Sequence, residues 1–102
     1  MPLFRTKKEP FEWLKSGKKT IDVRKGNPCY GEVAVFLSGR NVLRMKILKK
    51  RTGKLTEIVR TDNFRLIVLS ALVLDDAIAY LRELYADTDG VSTAYYVVPT
   101  EI

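Results

Sequence analysis

The sequence predicts an α+β domain: a small, mostly antiparallel β-barrel of about five to six strands with two or three helices. Three observations predict it. Between residues 20 and 60, short apolar and polar alternations are separated by turn residues, the pattern of hairpin-linked strands. One amphipathic helix follows at residues 75–85, and a β-rich segment returns near the end. Closing such strands on themselves removes exposed edges. With 102 residues, 46% hydrophobic and 29% charged, the chain suits one core and one domain spanning 1–102, and its balance argues against disorder.

Taken in order, Glu9 to Gly17 reads as a short helix. Pro10 suits a first helical position, Glu9 and Glu12 suit the positive end of the helix dipole, and Gly17 suits a left-handed stop. Thr20 to Arg24 then alternates, with Ile21 and Val23 on one face and Thr20, Asp22 and Arg24 on the other. Gly26 to Gly31 is a loop by composition. Glu32 to Leu37 is a second strand, Ser38 to Asn41 a tight turn, and Val42 to Lys50 a third strand. In the third strand Leu43, Met45 and Ile47 alternate with Arg44 and Lys46, giving one buried and one basic face. Arg51 to Lys54 reads as another turn and Leu55 to Arg60 as a fourth strand. Asn63 to Leu74 is apolar and ambiguous, with helix favoured in its first half. In Asp75 to Tyr85, the residues Ala77, Ile78, Leu81, Leu84 and Tyr85 form one stripe, and Asp87 to Gly90 ends the helix. The last strand covers about Thr93 to Thr100, and Pro99 places its end near an edge.

Two absences narrow the chemistry. There is no histidine, and Cys29 is the one cysteine, so disulfides, zinc fingers and histidine-dependent triads are excluded. No metal and no cofactor are expected, and any catalysis must run on Lys, Asp, Glu, Ser, Thr, Tyr or Arg. The longest nearly unbroken apolar run, Leu66 to Leu74, falls far short of the roughly 20 residues that cross a bilayer. Met1 to Phe4 is followed by Arg5, Lys7 and Lys8 without the apolar core of an export signal. The expected setting is cytoplasmic, with no membrane partner.

The net charge of +6 is unevenly placed. Residues 1–60 carry 16 Lys and Arg against 5 Asp and Glu, a net +11, while residues 61–102 carry 2 against 7, a net −5. A polyanion-binding face with an acidic counterweight divides in this way, although a solvated basic surface has the same composition. Charge, glycine and strand alternation coincide at Gly17-Lys18-Lys19-Thr20-Ile21-Asp22-Val23-Arg24. Asp22 and Arg24 share a strand face with Cα atoms about 6 to 7 Å apart. The bland reading makes Asp22 one half of a surface pair worth at most about 1 kcal/mol. The functional reading has it lining a cleft, where it orients a cation and helps bind a sugar, base or phosphate.

Here Gly17, Lys19, Asp22 and Arg24 resemble the GxKxxExR pattern of ASCH (activating signal cointegrator homology) domains, small barrels of the PUA-like superfamily, with Asp22 where the pattern has Glu. The layout agrees across the chain: a helix ending in Gly before the motif, a turn at Gly31-Glu32, an alternating hairpin, a late amphipathic helix and a final strand opening with Tyr95. The resemblance implies a PUA-like barrel with a cleft for RNA or a nucleotide-like ligand. In that cleft Lys19 and Arg24 would contact phosphate or base, and Asp22 would accept from a base edge or hold Arg24. Some ASCH-like proteins deacetylate acetylcytidine with Lys, Thr and Glu. Their Lys matches Lys19, their Thr falls at Asp22 and their Glu falls near Ser70, so one of three positions is kept.

The leading functional expectation is therefore RNA or nucleotide binding in a basic cleft around Gly17 to Arg24. The candidate contacts are Gly17, Lys18, Lys19, Asp22, Arg24, Tyr30, Arg40 and Tyr95. Tyr95 is chosen by resemblance, and Tyr30 as a stacking residue in the loop beside the motif. Trp13 on a short helix is more often a core anchor than a stacking platform. Arg44, Lys46, Lys49, Lys50, Arg51 and Lys54 fit a phosphate track or a solubility face equally well. One alternative is a hydrolase acting on RNA or a modified nucleoside, with Lys19 as base and Asp22 as its partner. A further alternative is a protein-interaction module using the acidic late helix.

Overall fold

A computed structural model of the chain describes residues 2–84 and 90–100. Tyr85 and the turn residues Asp87 to Asp89, where the late helix is expected to close, lie outside the described residues. The elements run β1 (Leu3–Arg5), α1 (Lys8–Lys15), β2 (Ile21–Lys25), β3 (Val33–Ser38), β4 (Asn41–Gly53), α2 (Leu55–Ile58), α3 (Phe64–Ile67), α4 (Leu74–Leu84) and β5 (Ser92–Pro99). The five strands form one sheet in the order β1-β3-β4-β5-β2. Only β1–β3 is parallel; the other three pairings are antiparallel. The result is the α+β, mostly antiparallel curled sheet that the sequence predicts. Two of its four described helices are single turns.

Side chains alternate across the sheet, and each face has its own core. Phe4, Ala34, Phe36, Met45, Ile47, Tyr95 and Val97 line the concave face, which Phe11 and Leu14 of α1 close. On the other face Ile21, Val23 and Ala94 pack against Leu55, Ile58, Ile67, Val68, Ala77 and Leu81 from α2, α3 and α4. Helix α1 thus gives Phe11 and Leu14 to the first core, while its Trp13 packs against the second. This places the corner between α1 and β2 over the boundary of the two cores.

The segment expected to turn at Arg51 to Lys54 and run as a strand from Leu55 to Arg60 is built differently. Strand β4 continues to Gly53, which pairs with Ser92, and a helical turn follows. As a strand, Leu55 to Val59 would set Glu57 on one face with Leu55 and Val59. The helical turn buries Leu55, Ile58 and Val59 together and leaves Glu57 outside, where its Oε1 accepts the Lys54 N–H at 2.9 Å. A register shift between Ile47 and Lys49 leaves Leu48 exposed and moves Lys50 opposite Tyr95. Strand β2 reaches only Tyr96 of β5, so Pro99 lies beyond it, where its missing N–H breaks no ladder. Among the described residues no helix is long and apolar enough to cross a membrane.

Candidate functional site

Helix α1 ends in a backbone arrangement that aims Lys19. Gly17 has φ +80°, a conformation that costs glycine little, and its N–H bonds to Leu14 O at 3.1 Å. The N–H groups of Lys18 and Lys19 both reach Trp13 O, at 3.1 and 3.0 Å. This reversal is the Schellman closure, and it turns the chain from α1 into β2. Thr20 N–H then bonds to Leu66 O at 3.1 Å, locking the corner to α3. Lys18 is left in solvent, whereas Lys19 is only 4% exposed.

The Lys19 ammonium donates to Ile67 O at the end of α3 and lies 3.9 Å from Asp22 Oδ1. Burial is the main influence on it and lowers its pKa to about 8; Asp22 opposes that shift and Arg24 adds to it. Asp22, also 4% exposed, accepts from Arg24 Nε through Oδ2 at 2.5 Å. One aspartate therefore meets both cations. Both terminal nitrogens of Arg24 donate as well: Nη1 to Arg5 O at 2.7 Å and Nη2 to Thr6 Oγ1 at 3.1 Å. Its guanidinium sits 4.8 Å from the centroid of Phe4. Arg24 thus fastens β2 to β1, the two edges of the sheet.

Lys19, Asp22 and Arg24 line one cavity of about 180 Å³ with Trp13, Val23, Ile67 and Tyr80. Trp13 and Tyr80 are half-buried with ring centroids 6.4 Å apart. Trp13 both packs on the core and forms a wall of this cavity. Arg5, Thr6 and Lys7 stand at the same cavity and also line a broader groove of about 520 Å³ with Leu37 and Gly39. Among the described residues no three His, Cys, Asp or Glu side chains gather as a metal site would need.

The other sequence candidates lie apart from that cavity. Tyr95 is 1% exposed and belongs to the concave core, 5.0 Å from Phe4 by ring centroids, and its hydroxyl accepts the Cys29 N–H at 2.8 Å. Tyr30 is 97% exposed on the loop held by that bond. Arg40 is exposed on the β3–β4 turn, one residue beyond Gly39 of the groove. Ser70 is exposed in the segment before α4. Sequence reasoning passed over Arg5, Thr6, Lys7 and Tyr80. Nothing local marks Arg5, Thr6 and Lys7, because β1 is recognisable only through its pairing with β3, whereas Tyr80 lies on the expected late helix and is brought to the cavity by its contact with Trp13.

No family model and no curated protein matches the chain. Solved structures do. The hypothetical protein PH0355 aligns at a TM-score of 0.79 and 15% identity, over 96% of this chain and 97% of that one. Protein PF0455 from Pyrococcus furiosus aligns at 0.70 and 20% identity, over 99% and 98%. ASCH from Zymomonas mobilis aligns at 0.70 and 18% identity, over 94% of this chain and 65% of that one, so this chain spans about two thirds of its length. A likeness of this depth at such low identity speaks to the fold. The curled, mostly antiparallel five-stranded sheet and these structural neighbours agree that the chain has an ASCH-like fold.

Proposed function

We propose that the protein binds RNA or a nucleotide-like ligand in the cleft built on Gly17 to Arg24. The observation that carries this reading is the meeting of Lys19, Asp22 and Arg24 with Trp13 and Tyr80 around one cavity of about 180 Å³. That volume is below the roughly 300–1,000 Å³ of pockets that enclose drug-sized ligands. It suits one flat group the size of a base, with sugar and phosphate left at the mouth beside Arg5 and Lys7. Asp22 offers an acceptor and Lys19 a donor to a base edge, and Trp13 offers a stacking face. A cytoplasmic place of action goes with an RNA partner.

The test is fluorescence anisotropy with labelled single-stranded and structured RNA across a salt series. About four phosphate contacts, at about 0.7 to 0.9 each, give a log-log slope near −3 to −4. Trp13→Leu, which keeps an apolar side chain without a stacking face, is expected to weaken binding about tenfold, within the range of one stacked base. Binding that stays at the detection floor at low salt defeats the proposal.

One observation favours a second reading, hydrolysis of RNA or a modified nucleoside. With a pKa lowered to about 8, Lys19 is partly neutral near pH 7 and is poised as a base beside Asp22. Turnover that disappears in Lys19→Ala while circular dichroism shows the fold intact would establish it. Turnover unchanged by that substitution removes it.

A further inference from the structure

We propose that the RNA backbone leaves the cleft along one track, over Arg5 and Lys7 to Arg40 at the β3–β4 turn, and not over the larger basic face of β4. This rests on the RNA-binding reading above. It starts from Arg24, three of whose five N–H groups are already engaged by Asp22, Arg5 O and Thr6 Oγ1, which fixes the guanidinium at the seam. The two N–H groups that remain can meet at most one phosphate while the fastening between β1 and β2 is kept. The charge that meets the rest of the backbone comes from neighbouring side chains.

The two cavities at this corner are continuous in their walls. Arg5, Thr6 and Lys7 line both the small cavity that contains Lys19 and Asp22 and the groove of about 520 Å³ that runs to Leu37 and Gly39. A base needs enclosure, whereas a sugar-phosphate chain needs an open surface with cations along it, so the narrow and wide parts suit the two halves of a nucleotide. Arg5, Lys7 and Arg40 are exposed, and among the described residues their side chains make no hydrogen bond or ion pair.

The β4 face offers more charge but no path. Lys50 donates to Cys29 O at 2.6 Å, and Lys49 lies over the Tyr96 ring at 5.3 Å. The cavity beside Lys46, of about 480 Å³, also contains Glu32 and shares no lining residue with the cleft. An anion following that face would meet a carboxylate and would be separated from the base site.

The experiment compares two triple variants with equal charge change: Arg5→Ala, Lys7→Ala and Arg40→Ala against Arg44→Ala, Lys46→Ala and Arg51→Ala. The probe is a fluorescein-labelled ten-nucleotide oligouridine, titrated across salt by anisotropy. Three lost contacts at about 0.7 each flatten the slope by about 2 and lower affinity on the order of 100-fold at about 0.1 M salt. The β4 triple is expected to stay within about threefold of wild type, leaving its slope nearly unchanged, as for cations that touch no phosphate. Equal losses in the two triples, or a greater loss in the β4 triple, overturn the track while leaving RNA binding in place. No binding by wild type overturns the parent reading itself. Should the first triple unfold in urea earlier than wild type, Lys7→Ala alone carries the test with an expected slope change of about 0.7, and no change in slope refutes the track.

Discussion

Lys19→Met is expected to remove a pH dependence of stability that wild type carries. The lysine is 4% exposed, and its folded pKa of about 8 stands against 10.5 for the free group, with burial as the leading cause. Between those values the unfolded chain holds the proton more tightly than the folded one. Stability therefore rises with pH through this window, because folding no longer requires burying a charge as the amine becomes neutral. The whole difference corresponds to about 3 kcal/mol at about 1.4 kcal/mol per pH unit. From about pH 7 to about pH 9.5 the linkage relation gives about 2 kcal/mol of it. The assay is urea unfolding of both proteins at several pH values, plotted as wild type minus variant so that shared titrations cancel. Tyr80 and Tyr95 are pushed upward by burial and ionise above this range. A difference that stays level or falls between pH 7 and pH 9.5 refutes the reasoning about Lys19.

Two further predictions concern the fastening of the barrel. Arg24→Ala leaves the Asp22 carboxylate buried without its closest partner and is expected to cost about 3 to 5 kcal/mol in urea unfolding; Arg24→Lys recovers less than half, since an ammonium cannot span Asp22, Arg5 O and Thr6 together. Tyr95→Phe removes the acceptor of the Cys29 N–H, with an expected cost of about 1 kcal/mol and faster hydrogen exchange at that amide.

Much of the architecture is legible in local pattern. Gly17, the alternation of Ile21 and Val23, the hairpin at Gly39 and the Ala77–Leu81 stripe all act through short-range geometry, and the structure uses them as the sequence suggests. What escapes the sequence is set by pairing at a distance. Arg51 to Gly53 has turn composition but is held extended by Ser92 to Ala94. Leu3 to Arg5 is three residues long and becomes a strand because Val35 to Leu37 lies alongside. Leu55 to Val59 could have been read correctly, since only a helical turn keeps Glu57 out of the apolar set. Tyr95 and Asp22 are cross-strand partners on one face of the sheet, so Tyr95 does sit beside the motif. Alternation along β5 says which side it takes but cannot say that this side is filled by Phe4 and Phe36.

The Gly17 to Arg24 segment joins fold and site because of where the sheet is left open. A fully closed barrel gives each edge carbonyl a strand partner, but here β1 and β2 are the two free edges and a guanidinium bridges them. Polar side chains must gather at such a seam, since backbone groups there lack a ladder. The i, i+2 spacing of Asp22 and Arg24 orients the bridging fork, and the corner at Gly17 delivers Lys19 to the far side of the same carboxylate. It follows that substitutions at Asp22 or Arg24 disturb stability as well as the proposed cleft, so lost binding in those variants would say little by itself. Arg5, Lys7 and Arg40 stand outside the seam's bonding through their side chains. On the proposed RNA-binding reading they are the positions at which binding is expected to change while the fold is kept, and therefore the ones that discriminate between a specific cleft and a general basic surface.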